Sequence, residues 1–147
     1  MIKNIRQAQG KDLGRIAEIE VFNYRVNFYP IFKNDAFYFD ELQVVRLLEK
    51  YKNDTKDIYV YDDGVVKGFV WITGKQIKKL FVEPVLHNQH IGSELLKYAV
   101  EKMGADYLGV LEKTERAGSF YKQHGFHLTS DRKYEDGTTE YLVRMQR

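Results

Sequence analysis

The order and spacing of the apolar residues predict an α+β domain in which helices flank a mixed, mostly antiparallel sheet. Residues 58 to 82 contain short apolar runs separated by Asp-Gly and Gly turns, a pattern typical of an antiparallel meander. Residues 77 to 103 read as a strand, a loop and an amphipathic helix, which indicates a crossover to a parallel strand. Residues 126 to 145 form two runs joined through Asp136-Gly137, which predicts a closing hairpin.

The remaining elements follow from the same patterns. Alternation over Ile2 to Arg6 predicts a first strand, and helical spacing predicts a helix from Leu13 to about Phe22. An aromatic stretch, residues 24 to 39, is interrupted by Pro30 and precedes a second helix that ends before Asn53. Residues 107 to 111 form a short apolar run typical of a buried strand, and residues 117 to 121 predict a short helix closed by a glycine. We expect a single domain over residues 1 to 147.

Composition excludes several classes of function. The chain has 44% hydrophobic and 30% charged residues and no apolar run near the roughly 18 residues that cross a bilayer, so we expect a soluble protein of the cytoplasm with no membrane partner. It has no cysteine, which excludes disulfides, thiolate metal sites and a cysteine nucleophile. A net charge of +2 without a basic stripe argues against nucleic acid as a partner.

The segment with the clearest chemical meaning runs from Leu80 to Leu96, where a buried strand ends at Pro84 and a polar loop leads into a helix. The start of that helix directs unpaired N–H groups at the loop, which makes an anion site suited to phosphate. Neither the Walker P-loop nor the dinucleotide fingerprint is present. Taken alone, the segment favours an ordinary connection in which Gly92 allows close packing of helix and sheet.

Together with Thr114 to Phe126, this segment resembles the GNAT acyltransferase superfamily. That superfamily has an apolar-x-Val-x-Pro strand end, then Arg/Gln-x-x-Gly-x-Gly/Ala and a helix, and later Asn-x-x-Ala-x-x-Phe-Tyr-x-x-x-Gly-Phe. Both segments occur here in family order and at family spacing. The resemblance implies a GNAT-like three-layer α/β/α fold and an N-acetyltransferase that moves the acetyl group of acetyl-CoA to a primary amine of a small molecule or peptide.

The resemblance also implies roles for particular residues. Backbone groups near Phe81 and Val82 would pair with the pantetheine arm, Thr114 stands where the family has a cofactor-contacting Asn, and Tyr121 falls at the position of the general acid. The pyrophosphate would bind main-chain N–H groups of the loop and helix start. The implied cofactor-binding residues are Phe81, Val82, His87, Asn88, Gln89, His90, Ile91, Gly92, Ser93, Thr114 and Phe120.

Two histidines depart from the family pattern. His87 replaces the usual Arg or Gln, and His90 replaces the first glycine of the loop. Their side chains either face solvent or donate to phosphate, in which case cofactor affinity depends on pH. His87 and His90 are three residues apart, as are His124 and His127, but neither pair has a carboxylate or thiol partner at set spacing, so we expect no metal.

Acetyl transfer requires a neutral amine and a proton for the departing thiolate. Tyr121 can supply that proton; its alternative role is a core ring. For the base we nominate Glu83, at the end of the strand, with Glu112 second. The resemblance also implies that the aromatic stretch borders the acceptor site, and there we nominate Tyr24, Phe28 and Tyr29; the alternative is core packing and a lid.

Two other functions stay open at this point. A non-catalytic CoA-binding interaction module on the same fold would keep the cofactor loop without turnover, and a nucleotide-binding protein would let ATP compete at that loop. A homodimer through exposed strand edges is a further open question.

Overall fold

The computed structural model describes residues 3–147, which form one twisted sheet of seven strands in the order β1-β2-β3-β4-β5-β7-β6. All neighbours are antiparallel except β4 and β5. The strands are β1 Ile5–Gln7, β2 Ile58–Asp62, β3 Val66–Thr73, β4 Gln76–Val82, β5 Tyr107–Leu111, β6 His127–Tyr134 and β7 Tyr141–Gln146.

Five α-helices flank the sheet: α1 Leu13–Asn23, α2 Tyr29–Phe32, α3 Val44–Tyr51, α4 Ile91–Glu101 and α5 Glu115–Gln123. Two π-helical segments, Tyr24–Phe28 and Phe37–Glu41, occupy much of the aromatic stretch. The first core cluster joins α1 and α3 to one face of the sheet, and the second joins α4 and α5 to the other. Helices on both faces give three layers.

The predicted α+β class, meander, crossover and closing hairpin are all confirmed. The first strand is predicted from Ile2, which lies outside the described residues, and its observed part begins at Ile5. Across residues 3–147 no helix has the length and apolarity to cross a bilayer. The same residues hold no group of three or more histidine or acidic side chains arranged for a metal ion.

The sheet opens between β4 and β5. These two parallel strands are paired only at Gln76 with Tyr107 and at Ile77 with Leu108. The β3–β4 register then skips Lys78, because Trp71 pairs with Lys79 whereas Ile72 pairs with Ile77. Such a bulge bends its strand. Meanwhile β5 stays paired with β7 along its whole length, so β4 and β5 separate beyond the bulge.

Gly68 sets the distance between β3, β4 and α4. A Cβ at this position would lie 3.0 Å from the carbonyl oxygen of Phe81, 3.0 Å from Leu95 Cδ1 and 3.3 Å from Ile91 Cγ2. The backbone oxygen cannot move without disturbing the β3–β4 pairing. Close approach of these elements therefore depends on a residue without a side chain.

We predict that Gly68→Ala lowers the free energy of unfolding by about 1–3 kcal/mol, because the added methyl group overpacks this junction. Urea unfolding followed by circular dichroism measures the change. Gly118→Ala is the matched control, since a Cβ there meets nothing within 4 Å and alanine favours its helix. Equal stability of the Gly68→Ala protein and the wild type would contradict this account.

Candidate active site

The separation of β4 and β5 creates a cleft of about 1170 Å³ that reaches both faces of the sheet. Its walls come from β4, β5, α5, the aromatic stretch and the β6–β7 turn. The lining includes Tyr24, Phe28, Phe32, Phe37, Tyr38, Ile77, Lys79, Leu80, Phe81, Leu108, Val110, Leu111, Thr114, Ala117, Tyr121, Glu135, Asp136 and Glu140.

Alternate backbone groups of β4 face this cleft. The N–H of Glu83 donates to the carbonyl of Lys67 on β3 at 2.9 Å, and the carbonyl of Phe81 also points toward β3, at Gly68. Because successive residues of a strand direct their backbone groups to opposite sides, Leu80 and Val82 direct theirs away from β3, and Leu80 lines the cleft. The Val82 carbonyl accepts a hydrogen bond from Asn23 Nδ2 at 2.8 Å.

The predicted phosphate loop follows β4 as a short turn, Pro84–Leu86, and residues 87–90. Helix α4 begins at Ile91, and the side chain of its N-cap residue, His90, makes no capping hydrogen bond to the first N–H groups. A Cβ on Gly92 would lie 3.4 Å from the Phe120 ring and 3.7 Å from Val82 Cγ2. This small residue lets α5 pack over the start of α4, where the unpaired N–H groups make an anion site.

The two loop histidines differ in environment. His90 is exposed and has a left-handed backbone, with φ of 66°, which explains why a glycine suits this position. Burial lowers the pKa of His87, the nearby Arg116 charge lowers it further, and a bond with the Val82 backbone opposes both effects. His87 is half-buried and favours its neutral form.

Tyr121 and Thr114 lie in the wall of the cleft on the α5 side. Tyr121 is 8% exposed, and burial raises the pKa of its hydroxyl, so the group keeps its proton at neutral pH. The Thr114 Oγ1 atom is buried and has no hydrogen-bond partner within residues 3–147. A buried hydroxyl of this kind is an unused donor and acceptor at the cleft wall.

The three predicted acceptor-site aromatics separate in the structure. Tyr24 and Phe28 line the cleft, and both pack edge-on against Phe81. Tyr29 lies outside the lining residues, where its hydroxyl donates to Asp35 Oδ1 at 2.5 Å and its ring packs against Tyr38.

Neither carboxylate nominated as base lines the cleft. Glu83 Oε2 is 4.0 Å from Arg15 Nη1 on the α1 side, and it has no hydrogen-bond partner in the described part of the chain. Glu112 is exposed and pairs with Arg132 at 2.5 Å.

The carboxylates that do line the cleft come from the β6–β7 turn: Glu135, Asp136 and Glu140. Glu140 is 2.9 Å from Lys113 Nζ. Glu135 is half-buried, and its charge contributes to the raised pKa of both Tyr24 and Tyr38 after the larger effect of burial. The turn therefore brings a carboxylate close to the aromatic wall. Asp136-Gly137 identifies a turn in the sequence, but nothing near it indicates that the turn reaches the cleft.

Sequence reasoning also missed a buried charged group at this site. Lys79 of β4 lines the cleft and pairs with Glu20 of α1, which is 1% exposed. The two residues are 59 positions apart, so only the fold brings them together.

Comparison with known proteins agrees with this geometry. Residues 54–128 match the family described as an acetyltransferase (GNAT) domain. The chain is 29% identical over 135 residues to the peptidyl-lysine N-acetyltransferase YiaC of Escherichia coli, covering 91% of this chain and 89% of YiaC. It is 30% identical over 79 residues to the peptidyl-lysine N-acetyltransferase YjaB of Salmonella typhimurium, an alignment that spans 54% of each protein.

A solved structure, the PaiA N-acetyltransferase of Thermoplasma acidophilum in complex with coenzyme A, superposes with a TM-score of 0.68 at 20% identity, covering 97% of this chain and 98% of that one. This likeness confirms the GNAT-like fold. Because the family match extends over half of the sequence, the chain belongs to the GNAT acetyltransferase family.

We predict that His90→Gly raises the free energy of unfolding by up to about 1 kcal/mol, because relief of the left-handed backbone outweighs the flexibility that glycine adds. Chemical denaturation measures the change. Gln89→Gly is the matched control. Its backbone is not left-handed, so glycine there lowers stability by about 0.5–1 kcal/mol. If both variants lose equal stability, His90 carries no strain.

Proposed function

We propose that this protein is an N-acetyltransferase that transfers the acetyl group of acetyl-CoA to a primary amine. The observation that carries the proposal is the position of Tyr121, a buried residue with a proton to donate that lines the cleft between β4 and β5. Family membership supports it.

Three features fit the cofactor. The backbone of Leu80 and the N–H of Val82, which point away from β3, would hold the amide-bearing pantetheine arm, and the start of α4 would hold the pyrophosphate. The unpaired Thr114 hydroxyl suits a polar group on that arm. When bound, acetyl-CoA supplies an activated thioester carbonyl. Because His90 is exposed in the loop, its backbone N–H rather than its imidazole would bind the phosphates.

Tyr121 is the proposed general acid. Burial raises the pKa of its hydroxyl, so the proton is present at neutral pH and can pass to the sulfur as the carbon–sulfur bond breaks. In the alternative role the ring, which does pack against Phe120 and Phe126, serves only the core, and loss of the hydroxyl would leave turnover unchanged.

The acceptor we propose is a lysine side chain of a peptide. The relatives YiaC and YjaB carry that substrate in their names. In this chain the aromatic wall fits the methylene groups of lysine, and the half-buried Glu135 attracts its ammonium. Glu135 is also our proposed acceptor of the amine proton, since Glu83 lies outside the cleft.

We predict that Tyr121→Phe lowers kcat by about 10²-fold or more, the usual contribution of a general acid, and leaves acetyl-CoA affinity within about twofold. Thiol release with a panel of lysine peptides measures turnover, and calorimetry measures binding. Unchanged turnover would exclude Tyr121 as the acid. Tight binding of acetyl-CoA to the wild type without turnover across a broad amine panel would instead indicate the non-catalytic module.

We predict that Glu135→Gln lowers kcat/KM for a lysine peptide by about tenfold or more, because the cleft loses the charge that attracts the ammonium. The difference shrinks at high ionic strength. Asp131→Asn is the matched control, since Asp131 is exposed on β6 and lies outside the cleft lining. Equal losses in the two variants would rule out a specific role for Glu135.

A further inference from the structure

The proposed acetyl-transfer cleft contains a lysine of its own. Lys79 lies on β4 two residues beyond the last pairing with β5, where the strands begin to separate. It lines the same cleft as Tyr121, and its side chain is 16% exposed. A primary amine at this position can accept an acetyl group. Either the amine is acetylated, or its neighbours hold it in a form that does not react.

All three ammonium N–H groups of Lys79 are engaged. Nζ donates to both carboxylate oxygens of Glu20 at 2.9 Å and to the Tyr51 hydroxyl at 2.5 Å. The Tyr51 hydroxyl in turn donates to Glu20 Oε1 at 2.6 Å. Glu20 is 1% exposed and Tyr51 is 0% exposed, so solvent does not compete for these bonds.

Aromatic rings surround the rest of the ammonium. Nζ lies 5.2 Å from the Tyr51 ring centroid, 5.6 Å from that of Trp71 and 5.8 Å from that of Tyr24. Ring faces at these distances favour a cation over a neutral amine. A carboxylate and three rings form a binding site for an ammonium, and the protein fills that site with its own side chain.

The charge of Lys79 nevertheless depends on one partner. Burial lowers the pKa of Lys79, and the charges of Lys50 and Lys78 lower it further, whereas the Glu20 carboxylate raises it by charge and by hydrogen bonding. Among residues 3–147, Glu20 is the one negatively charged group that faces Nζ, because burial raises the pKa of Tyr24 and of Tyr51. Loss of the Glu20 charge would therefore favour the neutral, nucleophilic amine.

We propose that Lys79 is a latent self-acetylation site, and that Glu20 and Tyr51 prevent the reaction by holding its amine as an ammonium directed away from the thioester. This inference rests on the proposed function. Released and deprotonated, Nζ attacks the thioester carbonyl; the carbon–nitrogen bond forms, the carbon–sulfur bond breaks, and the proton lost by nitrogen goes to the CoA thiolate. The products are acetyl-Lys79 and CoA.

Self-acetylation would also inactivate the site. Acetyl-Lys79 has no charge, so Glu20 would be left as a buried carboxylate without its counterion, an arrangement that is strongly destabilising. The acetyl group would occupy space at the floor of the cleft. The Glu20–Tyr51 pair thus protects the catalyst from its own reaction.

The test incubates purified protein with acetyl-CoA and no acceptor, and then quantifies acetylation of individual lysines by peptide mass spectrometry. We expect Glu20→Gln to acetylate Lys79 about tenfold or more above wild type, since each unit of pKa lowering raises the neutral fraction tenfold. Tyr51→Phe removes the hydroxyl that accepts from Lys79 and donates to Glu20, but it keeps the ion pair, so it gives a smaller rise. Adding Lys79→Arg to Glu20→Gln abolishes the signal.

Controls separate self-acetylation from background chemistry. Glu49→Gln breaks the exposed Lys52–Glu49 pair and leaves Lys79 at the wild-type level. Acetylation of Lys52 in the samples that keep Glu49 measures the uncatalysed reaction. The inference is overturned if Glu20→Gln is folded and its Lys79 is acetylated no more than Lys52. It is also overturned if Lys79 is acetylated to the same extent in the wild type and in Glu20→Gln. If circular dichroism shows that Glu20→Gln is unfolded, Tyr51→Phe takes its place, and acetylation of its Lys79 is compared with that of the wild type.

Calorimetry with acetyl-CoA distinguishes the two levels of failure. If the wild type binds no acetyl-CoA, the proposed function itself fails. If the wild type binds acetyl-CoA but acetylates no amine of the panel, the proposed function fails as well. If the wild type acetylates a lysine peptide, Glu20→Gln binds acetyl-CoA and Lys79 stays unmodified, only the protective role of Glu20 and Tyr51 fails.

Discussion

The separation of β4 from β5 is the constraint on which the rest of the site depends. Two pairings hold the strands together at one end, and the bulge at Lys78 turns β4 away while β5 remains bound to β7. Backbone groups that would pair in a continuous sheet are left facing a cleft. Polar backbone in such a place requires a partner, and an extended, amide-bearing cofactor supplies one. Tyr121 and Lys79 are placed to meet a bound thioester because both line this cleft.

Much of the fold was predictable because its signals are local. Alternation identified the meander, helical spacing identified α4, and the order of elements identified the crossover. The segments Leu80 to Leu96 and Thr114 to Phe126 identified the family, since their loop and helix residues must meet the cofactor in a fixed order. The prediction of Tyr121 as acid came from that resemblance and remains a prediction, although the tyrosine does line the cleft.

The parts that sequence reasoning missed depend on distant contacts. Nothing beside Lys79 indicates that its partner is Glu20, and nothing in the turn at Glu135 indicates that it lines the same cleft as Tyr24. Glu83 ends the strand that forms one wall, but strand alternation turns its side chain to Arg15 instead. The direction of the Glu83 side chain depends on the bulge at Lys78. No local pattern in the sequence predicts that bulge.

Hydrogen exchange of single amides measured by NMR, with and without acetyl-CoA, tests most directly whether the opened strand edge holds the cofactor. Leu80 and Val82 direct their N–H groups away from β3, whereas the N–H of Glu83 is bonded to β3 at 2.9 Å. Acetyl-CoA should slow exchange at Leu80 and Val82 by about tenfold or more and leave Glu83 nearly unchanged. Saturating acetyl-CoA with no added protection at Leu80 and Val82 would contradict binding along β4.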